Sequence, residues 1–350
     1  MFERGLTQRA RGVFKIAMRS SALLILAAAV HALSGSESGT AAWTKLGDGP
    51  FSKREGLMAV SANGTLYLSG GRTTDGLGFA GDVWSSADGG ASWAQPATAT
   101  AAPFGARAYH NMVELGGCLY VLGGQTFKGY FNDVHRSCDG AGAVWEQVTA
   151  NASWPVRAGA AAWATSAGEI VLAGGCYSDK GKRSFRADVW ASKDGVTWEQ
   201  RTAAAPWSAR SGPRLVEFKG ELYLVAGERG FTAGVQLADV WKSSDGGASW
   251  ALVSAAPGFS ARSGHGVVVT PDGETMLVVA GWPELHDVWA SSDGATWVQT
   301  SDAVWNCGAK SCGKFDFWGL YHRGALLTVG GSGASATFGK LYADTWRLSA

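Results

Sequence analysis

The sequence predicts an all-β chain, a six-bladed β-propeller of four-stranded blades whose ring is closed by an N-terminal strand pairing with the C-terminal blade. Three observations carry this expectation. A unit of about fifty residues recurs through the chain. Each unit contains short runs in which apolar residues alternate with period two. The last unit lacks a fourth strand, and an unmatched strand stands near the N-terminus.

Arg210 to Trp250 shows the unit most clearly. Strand a is expected from Arg210 through Leu215-Val216-Glu217-Phe218. Strand b follows at Glu221-Leu222-Tyr223-Leu224-Val225 and closes on Ala226-Gly227. Both have the β-branched and aromatic content of a half-buried sheet. Strand c starts at Asp239-Val240-Trp241, and the turn Ser244-Asp245-Gly246-Gly247 leads to strand d at Trp250, because Asp-Gly and Gly-Gly supply the positive φ of tight hairpins.

The register holds around the chain. A glycine pair, or Ala-Gly, ends strand b at Gly70-Gly71, Gly123-Gly124, Gly174-Gly175, Ala226-Gly227, Ala280-Gly281 and Gly330-Gly331. Strand c begins at Asp82, Asp133, Asp188, Asp239, Asp287 and Asp344. A cation opens strand a at Arg54, Arg107, Arg157, Arg210, Arg262 and Lys314. Strand d carries Trp93, Trp145, Trp198, Trp250 and Trp297, while the sixth unit ends before its own Trp. The missing strand is expected at Trp43-Thr44-Lys45, which would close the ring and remove exposed edges.

These double glycines, Leu-Tyr-Val strands and spaced tryptophans resemble the kelch-repeat β-propellers, a likeness that runs from Trp43 to Ala350. Ser86 to Trp93 and Ser243 to Trp250 also fit the S-x-D-x-G-x-[ST]-W pattern of sialidase Asp-boxes, with shorter versions at Ser192 to Trp198 and Ser291 to Trp297. In that family the box is a structural turn, so it implies a propeller rather than a glycosidase.

Residues 1–32 are expected to lie outside the fold. They hold five cations and one acid, then the apolar run Ala22 to Val30 and a small-residue exit at Ala32, the pattern of a secretory signal peptide. Starting at Met18 would give a signal of ordinary length. An organelle transit peptide is the alternative, since the segment is rich in Arg and poor in acids. The apolar run is shorter than the roughly 20 residues that span a bilayer. Residues 33–42 read as a linker and 43–350 as the propeller. Without the leader the chain keeps 25 basic and 28 acidic residues with no cationic cluster, so nucleic-acid binding is not indicated. A monomer is expected.

Cysteine usage points to an oxidising compartment. Cys118 opens strand b of the second unit and Cys138 ends its strand c, so antiparallel pairing sets them opposite each other as a disulfide. The third unit has Glu169 and Lys193 there, an expected ion pair. Cys307 and Cys312 flank an insertion and are expected to close a small loop, while Cys176 has no evident partner. Asn63 and Asn151 head glycosylation sequons.

What recurs in every unit is expected to hold the blade together. The six cations and the six Asp begin neighbouring strands at the same end of the blade, so mutual neutralisation is expected in place of an anion site. The aromatics Phe51, Phe104, Trp154, Trp207 and Phe259, three residues before each Arg, are expected to be structural, as are Trp84, Trp190, Trp241, Trp289 and Trp346.

What appears once is the better functional candidate. Directly after the glycine pairs stand Arg72, Gln125, Cys176, Glu228, Trp282 and Ser332, and the following loops carry Phe127, Tyr130, Phe131, Tyr177, Lys182, Arg183 and Arg229. These b–c loops share one face with the starts of strand a, where a propeller would bind something. Arg107-Ala108-Tyr109-His110 resembles the segment that supplies copper ligands in galactose oxidase, but only His265 offers a second ligand, so no metal or other cofactor is assigned. Glu228 stands after its glycine as the catalytic Glu of N-acetylneuraminate epimerase does, although Gly234 occupies the place of the partner Arg and Arg229 is adjacent. The resulting expectation is a secreted or lumenal binding module for a protein or glycan, with an anionic partner as a sub-hypothesis. The alternative is a carbohydrate-active enzyme, mutarotase-like or oxidase-like.

Overall fold

The computed structural model describes residues 42–73, 78–96, 102, 104–230, 235–301, 304–305, 313–333 and 340–349. The leader and the Cys307–Cys312 pairing fall outside them. Among the described residues there is no helix, and so none long and apolar enough to cross a membrane.

Six antiparallel sheets follow one another along the chain. Blade 1 comprises Met58–Ala62, Thr65–Ser69 and Val83–Ser86, with Ala94 bridging to Ser85 at its edge. Blade 2 has Asn111–Leu115, Cys118–Thr126, Gly129–Ser137 and Glu146–Thr149. Blade 3 has Ala161–Ala164, Ile170–Ala173, Val189–Ser192 and Glu199–Thr202. Blade 4 has Arg214–Phe218, Glu221–Glu228, Gln236–Ser243 and Ala251–Ser254, and blade 5 has Gly266–Val269, Met276–Gly281, Leu285–Ser291 and Val298–Ser301. Blade 6 joins Trp318–His322, Ala325–Val329 and Asp344–Ser349 to the N-terminal Ala42–Asp48, which pairs antiparallel with Asp344–Ser349. The innermost strands touch in cyclic order, that of blade 6 returning to that of blade 1.

Each blade is fastened by one repeated device. The guanidinium of Arg157 donates to both oxygens of Asp188 (2.9 and 2.7 Å) and to the carbonyl of Gly174 (2.8 Å). Arg54, Arg107, Arg210 and Arg262 repeat this on Asp82, Asp133, Asp239 and Asp287. Lys314 holds Asp344 by two bonds of 2.7 Å. The indole Nε1 of Trp84, Trp190, Trp241, Trp289 and Trp346 donates to the same carboxylates, and His135 stands in for the Trp in blade 2. Beneath the cations lie Phe51, Phe104, Trp154, Trp207, Phe259 and Trp305. All six cations are buried, so neutralisation of the ring is what the structure shows.

The same aromatics meet the strand-d tryptophans edge to face: Phe51 with Trp93, Phe104 with Trp145, Trp154 with Trp198, Trp207 with Trp250 and Phe259 with Trp297. In blade 6, Trp305 meets Trp43 at 6.2 Å, so the N-terminal strand supplies the sixth Trp. Asp-box turns close the c–d hairpins. Asp88 accepts from the Ser92 amide and hydroxyl, bonds that hold its carboxyl down at about 2.

Two boundaries differ from expectation. Strand a begins about four residues after its cation, because the Arg faces sideways into the clamp and the following residues cross to the channel mouth. Strand b of blade 4 runs on through Glu228. Cys118 and Cys138 form a disulfide where the register of Leu119 opposite Ser137 sets them face to face. Lys193 Nζ lies 3.9 Å from Glu169 Oε1, while Arg201 makes the shorter bond to it at 2.9 Å. Asn63 and Asn151 are exposed in turns.

Candidate functional site

The site is built on a collar. Two residues after each cation stand Gly56, Tyr109, Gly159, Gly212, Gly264 and Asp316. Their backbones are linked around the channel: Gly56 N donates to Asp316 O, Tyr109 N to Gly56 O, Gly159 N to Tyr109 O, Gly212 N to Gly159 O, and Asp316 N to Gly264 O. The linkage requires left-handed backbone, with φ between 57° and 62° at the four glycines. Tyr109 and Asp316 hold the same conformation at 53° and 52°. For a residue with a Cβ this costs about 1–2 kcal/mol. Both side chains lie over a neighbour's glycine, since a Cβ on Gly56 would meet the Tyr109 ring at 2.7 Å and one on Gly264 would meet Asp316 Oδ1 at 2.4 Å.

A second layer of pairing brings the variable residues to this collar. The residue after each cation bridges to the residue after the same blade's glycine pair: Glu55 with Arg72, Ala108 with Gln125, Ala158 with Cys176, Ser211 with Glu228, Ser263 with Trp282, and Phe315 with Ser332. The glycines permit the approach. A Cβ on Gly124 or Gly281 would lie 2.7 Å from the Cβ of His110 or His265. The mouth that results is a cavity of about 350 Å³, lined among others by Arg72, Tyr109, Gln125, Tyr130, Arg183, Glu228, Trp282, Phe315 and Asp316. Trp282 and Phe315 meet edge to face at 5.0 Å and form its apolar wall.

The same mouth holds a charged network. Arg72 Nη2 is 2.6 Å from Glu55 Oε1. The Tyr109 hydroxyl lies 3.1 Å from that oxygen and 3.4 Å from Asp316 Oδ2. Burial, and then the Glu55 charge, push the Asp316 carboxyl up to about 7. Glu228 is also pushed up to about 7, by burial first and by Asp316 second, while the Ser263 hydroxyl donates to its Oε2 at 3.0 Å. Tyr109 is driven well above its ordinary value by burial and the flanking acids. The cavity thus holds two carboxyls poised near neutrality beside an arginine, an arrangement able to donate, accept and exchange protons.

Eight expected candidates converge here: Arg72, Tyr109, Gln125, Tyr130, Cys176, Arg183, Glu228 and Trp282. Others do not line the cavity, His110, His265, Tyr177 and Arg229 among them. His110 is fully buried against Ser69 Oγ at 2.8 Å, and burial takes its pKa down to about 3. His265 is likewise fully buried beneath its glycine. Tyr109 and His110 therefore point to different places and do not form a joint ligand pair. Tyr177 lies under the Arg186 guanidinium in the hairpin Cys176–Asp179 with Lys182–Phe185, and Arg229 is exposed beyond the end of its strand. Among the described residues no group of three or more His, Cys, Asp or Glu could hold a metal ion. Sequence reasoning does not single out Glu55 and Asp316. The signal available was positional: four units have Gly two residues after the cation, and only Tyr109 and Asp316 break that rule.

Comparison with solved structures finds one titled "Structure of YjhT", which superposes with a TM-score of 0.66 at 17% identity over 85% of this chain and 95% of that one. No curated protein matches in sequence. The family described as the KLHDC2/KLHL20/DRC7 Kelch-repeats domain matches residues 36–227, just over half the chain. With the repeated clamp and the blade order above, the chain belongs to the kelch-repeat domain family.

Proposed function

We propose that this chain is a ligand-binding kelch propeller of the secretory pathway or cell exterior, and that its mouth cavity receives the end of a glycan. The carrying observation is the pair Tyr109 and Asp316, held in left-handed backbone where four other blades place glycine. Strain of this kind persists where the surroundings over-determine it, and it clusters at functional sites. The lining supports a sugar. Trp282 with Phe315 offers an apolar face, while Gln125, Tyr130, Glu228 and Arg72 offer donors and acceptors for hydroxyl groups. A concave site of about 350 Å³ suits one or two sugar rings better than a flat protein surface. The buried clamps leave the six strand-a cations no part in holding an anion, so a negatively charged partner draws no support from them. The Cys118–Cys138 disulfide and the exposed Asn63 and Asn151 sequons favour an oxidising, exported setting.

The test is a glycan array with the purified propeller, followed by calorimetry on the best hit. Trp282→Ala and Gln125→Ala are each expected to weaken binding at least tenfold with the melting temperature little changed. A hit indifferent to both, or no hit beside retention of a peptide ligand, would sink the glycan reading.

A second reading rests on Glu228 and Asp316 both standing at about 7. Two carboxyls near neutrality in one cavity can act in one reaction, one serving as acid and the other as base. Proton exchange of that kind would catalyse interconversion of sugar anomers, and exchange spectroscopy on the bound sugar, lost in Glu228→Gln, is its signature.

A further inference from the structure

Below the collar the channel widens into a second chamber of about 470 Å³, which shares no lining residue with the mouth. Its walls are the inner strands of all six blades and are mostly apolar, with Val60, Val113, Trp163, Leu215, Val267 and Leu320 among them. One position breaks the pattern. At the first level of strand a, set by pairing with strand b, the six residues are Met58, Asn111, Ala161, Arg214, Gly266 and Trp318. Arg214 is the only charged residue of that ring.

Its side chain reaches across two blades. Nε donates to the His265 carbonyl at 2.6 Å, and the guanidinium lies 4.7 Å over the Trp318 ring. Among the described residues no carboxylate comes within 4 Å of it, and its terminal nitrogens make no hydrogen bond, unlike the strand-a arginines in their bidentate clamps. Burial lowers its pKa to about 10. Asp316, on the far side of the collar, stabilises its charge only from a distance. A half-buried guanidinium with its donor fork open to a cavity is a bidentate receptor for a carboxylate.

Farther down, Glu217 is satisfied by Ser166 N and Oγ, both at 2.6 Å, and Glu114 by Gly117 N at 2.7 Å. Both acids are thus tied to surface turns at the outer rim. From Arg214 to that rim is three residues of strand, about 10 Å. Tyr321, at the rim level, has a buried hydroxyl with no partner among the described residues.

We propose that this lower chamber binds an amphiphilic monocarboxylate, with the carboxylate on the Arg214 guanidinium and a medium-length alkyl tail lying along the apolar walls toward the a–b turn face. The chamber supplies one cation at its collar end and apolar surface along its length, so a free acid is preferred over the matching alcohol. The two rim glutamates disfavour a second negative charge at the far end of the ligand, which excludes the dicarboxylate of the same length.

Calorimetry of the full propeller with decanoate, decanol and decanedioate tests this. Decanoate is expected to bind one to one and at least tenfold more tightly than either of the others. Arg214→Gln is expected to lose at least tenfold in decanoate affinity while keeping its affinity for decanol. Trp282→Ala, in the upper mouth, should leave decanoate binding unchanged, which separates this chamber from the glycan site. Should Arg214→Gln not fold, the wild-type preference of acid over alcohol decides alone. Absence of decanoate binding, equal binding of acid and alcohol, or undiminished binding by a folded Arg214→Gln would each overturn the proposal.

Discussion

Asp316 and Glu228 make the mouth of the propeller sensitive to pH. Both have folded-state pKa values raised to about 7 from the ordinary carboxyl range, so the folded chain binds more protons than the unfolded chain between roughly pH 4 and pH 7. Their contribution is therefore most favourable at acid pH and declines as pH rises through about 7. Buried His110 and His265 act in the opposite sense, because their depressed values mean the unfolded chain takes up protons first, but that effect ends above about pH 6.5. Between pH 6 and 8 the acids, with Glu55, Tyr109, Arg72 and Arg214 around Asp316, dominate the slope. Asp316→Asn is expected to flatten the fall in melting temperature over that interval and to recover on the order of 2 kcal/mol at pH 8. A slope unchanged by the substitution would show that Asp316 is ionised without penalty. At this scale the sequence disclosed about half of the site. Glu228 and Trp282 were legible because they follow a glycine pair and differ from every other unit. Asp316 was hidden because its significance lies in what it replaces, a left-handed glycine, and in contact with Tyr109 from a distant blade.

The clamp that precedes strand a is the element on which the rest of each blade is hung. Arg157 satisfies Asp188 and the carbonyl of Gly174 together, and Trp190 completes the carboxylate. Arg157→Met would leave a buried carboxylate without its charge partner, and such losses run to about 3–5 kcal/mol. Arg157→Lys should cost far less, about 1–2 kcal/mol, because blade 6 folds around Lys314 with two bonds to Asp344 and no bond to the glycine carbonyl. Urea denaturation of the two variants checks the order, and equal losses would mean that the fork geometry rather than the charge is what the blade needs. The cation, the Asp, the Trp and the preceding aromatic were all legible by repetition. The placement of the cation outside strand a was missed, although Ser211-Gly212-Pro213 interrupts the apolar alternation there. The bends that carry Gly212 and Gly264 to the collar come from backbone contacts between blades.

Closure is the property of the whole molecule, and it rests on one short strand. Ala42–Asp48 pairs along Asp344–Ser349, and Trp43 takes against Trp305 the place that Trp93 takes against Phe51. Without it blade 6 would keep three strands and a bare edge rich in unpaired backbone groups, a template for association. The arithmetic of repeats disclosed this, since five strand-d tryptophans and one stray Trp add up to six blades. The face of the mouth was legible from its variable loops, whereas the lower chamber stayed hidden because its walls are assembled from all six inner strands. Trp43→Ala is expected to destabilise the propeller by about 2–3 kcal/mol, somewhat below a fully buried Trp because the ring is only half-buried. Removing residues 42–48 altogether should lower the melting temperature further and drive concentration-dependent association through the open edge. A circular permutant that carries residues 42–48 after residue 350 through a short flexible linker should then melt as the intact chain does, because the strand's partner ends beside it. Failure of the permutant to recover stability would mean that the N-terminal strand acts through the order of folding rather than through the closed ring.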